Sequence, residues 1–181
     1  MVADALTAQQ VAWEIAATVC DPEIPVLSIA DLGILRSVEV TAGTEITAHT
    51  GGAESGGVRV TITPTYSGCP AVDAIRDDLR AAFAEAGYSP VEVVVTLSPA
   101  WTTDWMSAAG RVKLQDYGIA PPSGNSTAGG HSGPIRLALQ VKCPQCSSLN
   151  TRELTRFGST SCKALYVCSD CLEPFDYFKV L

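Results

Sequence analysis

Histidine is nearly missing from this chain: two residues in 181, His49 and His131, neither with a glutamate three positions before it. The Glu-x-x-His pairs with which helical bundles hold two irons are therefore absent, and so are the glycine-rich GxGxxG and GxxxxGK(S/T) loops that cradle nucleotide phosphates. No apolar run approaches the roughly 20 residues of a membrane helix, and the opening MVADALTAQQ lacks the basic stretch of a signal peptide. The expected location is the cytoplasm, with no membrane partner. Basic residues are scarce as well. Twelve Lys+Arg face 19 Asp+Glu, a net charge of −7, which repels nucleic acid unless one region departs from the average. Residues 1–134 hold six basic against fifteen acidic residues, and 135–181 hold six against four. Four cysteines ionised around a divalent cation would cancel that small basic excess. No nucleic-acid partner is expected; a ribbon that binds nucleic acid through Arg152, Arg156 and Lys163 is the remote alternative.

Cysteine, by contrast, is plentiful, with seven residues. In a reducing compartment these are ligands, reactive thiols or core residues rather than disulfides, and an odd number cannot all pair. Four of them, Cys143, Cys146, Cys168 and Cys171, form CPQC and CSDC motifs, 21 residues apart. Each CxxC turn delivers two sulfurs together, and the strand-like runs TRELTRF and KALYVC between them give the spacing of a zinc ribbon. Iron is the rival metal, because CPxC also opens iron–thiolate sites. With all four coordination positions filled by protein, the ion is structural or part of a docking surface, not a hydrolytic centre. Cys162, six residues before Cys168, fits no tetrahedral quartet, and core packing is its expected role.

The Pro/Gly/Ser-rich stretch PPSGNSTAGGHSGP, residues 121–134, reads as a flexible linker between a domain at 1–120 and a small β ribbon domain at 135–181. In the first domain, Thr7 and Gln10 form a capping box for a helix to about Val19, with Val11, Ile15 and Val19 on one face. ILRSVEVTA and VRVTITPTY read as antiparallel strands around the loose loop 50–57. Pro70, then Ile75, Leu79 and Phe83, then Gly87, mark a second helix. The valine run VEVVVTL suggests a strand buried on both faces or central in the sheet, and Thr102 or Thr103 caps a short helix carrying Trp105. The expected fold class is α/β (α+β), helices on a small mixed sheet, followed by the ribbon.

Cys69 precedes Pro70 at the start of the second helix, where free N–H groups and the helix dipole favour a thiolate; a small apolar residue beneath a turn is the plainer reading. Asp21 and Asp31 lie in the proline-broken segment DPEIPVLSIADLG, where carboxylates usually serve as local caps. Asp-Pro-Glu followed by Asp31, Leu32 and Gly33, then a strand ending TPTYSGCP, resembles the MIP18 family of iron–sulfur assembly across residues 7 to about 100. WTTDWM, RVKLQDYGIAPP and the ribbon with FGSTSCKALYVCSDCLEPFDYFK resemble the PaaD (also called PaaJ) family of the phenylacetyl-CoA epoxidase system, which extends the likeness over nearly the whole chain. The resemblance implies an accessory protein of aerobic phenylacetate catabolism rather than the oxygenase. It would be an iron or iron–sulfur maturation factor, serving the oxygenase and reductase subunits of the epoxidase. Cys69, Asp21 and Asp31 would be its assembly or transfer residues, zinc its structural cofactor, and iron or an iron–sulfur cluster its transient cargo. No second cysteine accompanies Cys69 in its motif, so a cluster held there would be transient or would bridge a homodimer. The alternative is a stoichiometric structural or electron-transfer subunit of the oxygenase complex.

Overall fold

The structure, a computed structural model, describes residues 7–41, 56–123 and 141–181. Thr7 opens α1 (Ala8–Ala17) through the expected capping box: its hydroxyl accepts from the Gln10 N–H at 3.2 Å, and the Gln10 side chain accepts from the Thr7 N–H at 2.8 Å. The buried face carries Ala12 and Ala16, with Ile15 and Val19 beside them, whereas Val11 is exposed. Two alanines at spacing four let the helix lie close against the sheet. Gln9, in the first turn, donates to the Val38 carbonyl and accepts from the Val40 N–H, which pins α1 to β1 (Leu35–Thr41).

β1 runs antiparallel to β2 (Gly57–Ile62), and β2 runs parallel to β3 (Val91–Val95), giving the order β1-β2-β3 in a mixed sheet. The parallel crossover is α2 (Ala71–Glu85), whose Ile75, Leu79 and Phe83 are fully buried. The valine run misleads here. β3 is an edge strand with only Val93 buried, and the central place belongs to β2, because a strand that follows the crossover adds to the outside of the pair already formed by the hairpin. The loop at 50–55 and both histidines lie outside the described residues.

After β3, Thr102 caps a 3-10 turn (Thr103–Trp105), and Ser107 caps α3 (Ala108–Asp116) by accepting from the Gly110 N–H at 2.8 Å. The sequence gives little sign of α3, since its buried positions are only Gly110 and Leu114. Gly33 explains the close approach of this region to the rest: it has φ +71, and a Cβ there would sit 2.5 Å from the Trp105 carbonyl oxygen. The site admits glycine alone, on both conformational and steric grounds.

The second sheet is antiparallel, in the order β4 (Thr151–Thr155), β5 (Lys163–Cys168) and β6 (Pro174–Phe178). It shares a core with the first. Phe178 (1% exposed) and Cys162 (7%) belong to the same buried cluster as the α2 and β2 side chains, and the Phe178 ring lies 6.1 Å from that of Trp101. The backbone joins them as well. Ala120 donates to Asp176 at 2.8 Å and accepts from Phe178 at 2.9 Å, Thr103 donates to the Leu181 carbonyl at 3.2 Å, and Gln115 donates to the Pro144 carbonyl at 3.2 Å. The expected linker lies outside the described residues beyond Ser123.

Truncating Phe178 therefore tests whether both parts fold as one. Phe178→Ala should cost about 3–5 kcal/mol, as buried phenylalanine truncations do. Because all three tryptophans precede residue 106, the loss should be visible in urea unfolding followed by tryptophan fluorescence. An unchanged tryptophan transition would mean that the ribbon only rests on the first sheet.

Candidate functional site

Both CxxC motifs sit in turns of the same design. In the first, Ser147 donates to the Cys143 carbonyl and the Cys143 N–H donates to the Ser148 carbonyl; in the second, the Cys168 N–H donates to the Glu173 carbonyl. The residue after each pair, Ser147 (φ 64) or Leu172 (φ 65), is left-handed, and this folds the backbone back so that N–H groups face sulfur. The four Sγ atoms lie within 4.8 Å of one another, with Cys143 to Cys171 at 3.8 Å and Cys146 to Cys168 at 3.5 Å. A tetrahedron of thiolates about 2.3 Å from zinc has edges of about 3.8 Å, so the quartet is positioned to bind a metal. Cys143 and Cys168 are buried and Cys146 and Cys171 exposed. The N–H groups of Cys171 and Asp170, with burial opposing them, bring the Cys168 thiol down to about 7. Asp170 also ties the turns together, accepting from Ser148 and, at 2.8 Å, from the Asn150 amide.

The remaining candidates divide. Asp21 is 7% exposed, and its Oδ1 accepts from the Glu23 and Ile24 N–H groups at 2.8 and 2.9 Å, the local cap that its turn position suggests. It also lies in electrostatic range of Cys69, together with Glu23 and Cys162. α2 begins one residue later than the sequence suggests, with Pro70 at its cap, and Cys69 is half-buried just before it. The Ala71 N–H does bond its sulfur, but burial, with Asp21, Cys162 and Glu23 adding to it, pushes the Cys69 thiol up. The expectation of a thiolate stabilised by the helix end is thus corrected: desolvation and neighbouring acids outweigh the terminus.

Asp31 belongs to a different network. It accepts from Lys113 Nζ at 2.6 Å, from the Ser107 hydroxyl at 3.1 Å, and from the Ser28 hydroxyl and N–H at 3.1 and 3.3 Å. Burial works against its charge, but these partners hold the carboxyl below the usual range. The network clamps α3 to the turn before β1, and Asp31 is not among the groups that act on Cys69.

Sequence reasoning placed Cys162 in the core, which is correct, and missed that this core is the one the ribbon shares with the first sheet. No spacing could signal a shared core between two sheets. Lys163, counted with the basic residues of the ribbon, is 4% exposed with Asp176 at 3.6 Å, which removes it from any surface patch for nucleic acid.

An α/β unit continued into a β ribbon with four cysteines positioned to bind a metal is the class of protein that this fold and site define. In agreement, residues 13–97 match the family described as iron-sulfur cluster assembly protein, and 129–179 match the PaaD zinc beta ribbon domain. The chain belongs to the PaaD family. It is 45% identical over 169 residues, 93% of this chain and 91% of the relative, to a putative 1,2-phenylacetyl-CoA epoxidase subunit of Escherichia coli. An Fe-S protein maturation auxiliary factor of Porphyromonas gingivalis is 37% identical over 98 residues, 54% of this chain and 81% of its own. The crystal structure of a domain of unknown function from Bacillus anthracis overlays at a TM-score of 0.49 and 23% identity, covering 59% of this chain and 90% of that one.

Asp31→Asn separates a clamp from a transfer residue. The Asp31 carboxyl titrates below its ordinary 3.8 in the fold, so its stabilisation is complete above that pH and disappears as pH falls through the lower folded value. The variant should lose about 1–2 kcal/mol at pH 7, and the deficit should shrink towards pH 3 in urea titrations. A deficit of equal size at both pH values, or none, would contradict the clamp.

Proposed function

We propose that this protein is a non-catalytic accessory factor that loads iron, or an iron–sulfur cluster, into the oxygenase or reductase of a phenylacetyl-CoA epoxidase system in the cytoplasm. The match of residues 13–97, which hold Cys69, Asp21 and Glu23, to the assembly family is the observation that carries this reading. A half-exposed thiol within electrostatic range of carboxylates suits a ligand that takes up a metal and gives it away. The four-cysteine site has the opposite character. Its ligand set is closed, its metal is zinc on this reading, and its contribution is folding energy rather than chemistry. We divide the chain into an assembly unit at 1–120 and a ribbon at 135–181, joined by 121–134.

A second reading draws on the name of the Escherichia coli relative, which calls that protein a subunit: a stoichiometric component of the oxygenase complex. Metal content separates the two. Oxygenase and reductase purified from a strain lacking this gene should be deficient in iron, and once loaded they should turn over without this chain. Cys69→Ala should reproduce the deficiency while leaving the fold intact, because it removes a thiol but little volume. Partners with full iron from the deletion strain, inactive until this protein is added in equal amount, would establish the subunit reading instead.

A further inference from the structure

The outermost strands of a sheet carry N–H and C=O groups that can pair with another chain, and folded proteins usually blunt such edges. Among the described residues the two sheets present four edges, along β1, β3, β4 and β6. Three are blunted. Along β1 the Gln9 side chain takes the Val38 carbonyl and the Val40 N–H. Along β6 the backbone of Ala120 lies against Tyr177, donating to Asp176 and accepting from Phe178. β4 carries the charged Arg152 and Glu153, and its register shifts between Glu153 and Thr155. β3 shows none of these devices among the described residues. Its five residues pair with β2 in unbroken register, and Glu92, its one charged residue, is tied to Arg59 at 2.8 Å.

The direction of its free groups follows from the ladder. At one end of β3 the Pro90 carbonyl accepts from the Val58 N–H, and at the other the Thr96 N–H donates to the Ile62 carbonyl, both at 2.9 Å. In a ladder the backbone groups of alternate residues face the neighbouring strand. Glu92 and Val94 therefore turn theirs to β2, while Val91, Val93 and Val95 turn theirs outward. Among the described residues, no backbone group outside the sheet pairs with those three. Their side chains share one face. Val93 is buried there and Val91 packs against the core, but Val95 is 36% exposed and Leu97, two residues on, is 54% exposed. The apolar face of the sheet thus runs out into solvent at this edge.

We propose that the β3 edge pairs with the same edge of a second copy of this chain, antiparallel and centred on Val93, joining two three-stranded sheets into one of six strands. The strand is complementary to itself. With Val93 on the two-fold axis, Val91 of each copy lies opposite Val95 of the other, and each such pair exchanges two N–H···O=C bonds from groups already turned outward. Valines meet valines across the axis, a favourable β-branched pairing. Charge selects the antiparallel arrangement, because it sets Glu92 opposite Val94, whereas an in-register parallel one would set the two Glu92 side by side. Pro90 and Pro99 have no N–H to offer, which confines the ladder to the stretch between them and makes a strand of equal length the matching guest. The contact is small, so the dimer belongs with weak and reversible associations. It uses neither the quartet nor Cys69 and stands independently of the loading function proposed above.

Sedimentation velocity of the zinc-loaded full chain, from micromolar to near-millimolar concentration, should show a monomer converting to a dimer. Hydrogen exchange over the same series identifies the surface. The Val91, Val93 and Val95 amides should exchange at least tenfold more slowly in the concentrated sample than in the dilute one, whereas the Val94 amide, bonded within the sheet, should be protected in both. Val95→Pro deletes an outward N–H that the chain's own sheet does not use, and Val95→Lys adds a charge at the same exposed position; each should weaken dimerisation at least tenfold. Circular dichroism spectra like that of the parent establish that the variants fold, and Val95→Lys carries the test alone if Val95→Pro does not. A chain that stays monomeric across the series would overturn the proposal. So would a dimer that survives the charged substitution, or outward amides whose exchange ignores concentration, since either puts the contact elsewhere or another occupant on the edge.

Discussion

Two of the five residues buried in the small core at the metal end of the ribbon, Cys143 and Cys168, belong to the quartet positioned to bind a metal, and a third, Ala120, comes from the end of the first unit. That leaves Val141 and Phe175, with the partly buried Tyr166 and Tyr177 against them, too little apolar surface to hold three strands together in water. The ribbon is therefore secured from outside its own hydrophobic content: by a metal at the CxxC turns, and by insertion of Phe178 and Cys162 into the core of the first unit at the opposite end. Everything else in the ribbon depends on these two anchors.

Fixing both ends has a consequence for the segment between them. β5 starts at Lys163, next to Cys162 in the shared core, and ends at Cys168 in the quartet, so a single strand of six residues connects the two anchors. Glu23 and Asp21 arrive from the other side on a turn held by backbone bonds to Asp21 itself. The Asp31 clamp performs the same service for α3, and through Gln115 and Arg111 it reaches the residues that meet the ribbon. Thus the acidic residues of the proline-broken segment have separate work: Asp21 caps its own turn, Glu23 faces the ribbon residues 157–161 and Asp31 fixes α3.

Local chemistry made much of this legible from the sequence. The capping box at Thr7 and Gln10, the spacing of Ile75, Leu79 and Phe83, the hairpin pair and the two CxxC turns each need only neighbours in the chain, and all appear as expected. What escaped reading was set by distant partners. Val91–Val95 looks central because valine favours sheets, yet edge or centre is decided by the order in which strands pair. α3 has almost no apolar periodicity, because it packs through a glycine against Asp31. Cys69 has the sequence of an activated helix cap, but its acidity is governed by burial and by groups that only tertiary structure assembles. Cys162 gave no hint that the core it enters belongs to the first unit as well.

The account turns on the ribbon being secured at one end by a metal at the CxxC turns and at the other by the core it shares with the first unit. Iodoacetamide labelling of the full chain, read by mass spectrometry, reports this directly. Zinc-loaded protein should keep Cys162 protected, and stripping the metal with a chelator should expose both the four CxxC thiols and Cys162. Protection of Cys162 that is unchanged without metal, or a Cys162 that labels freely in zinc-loaded protein, would contradict it.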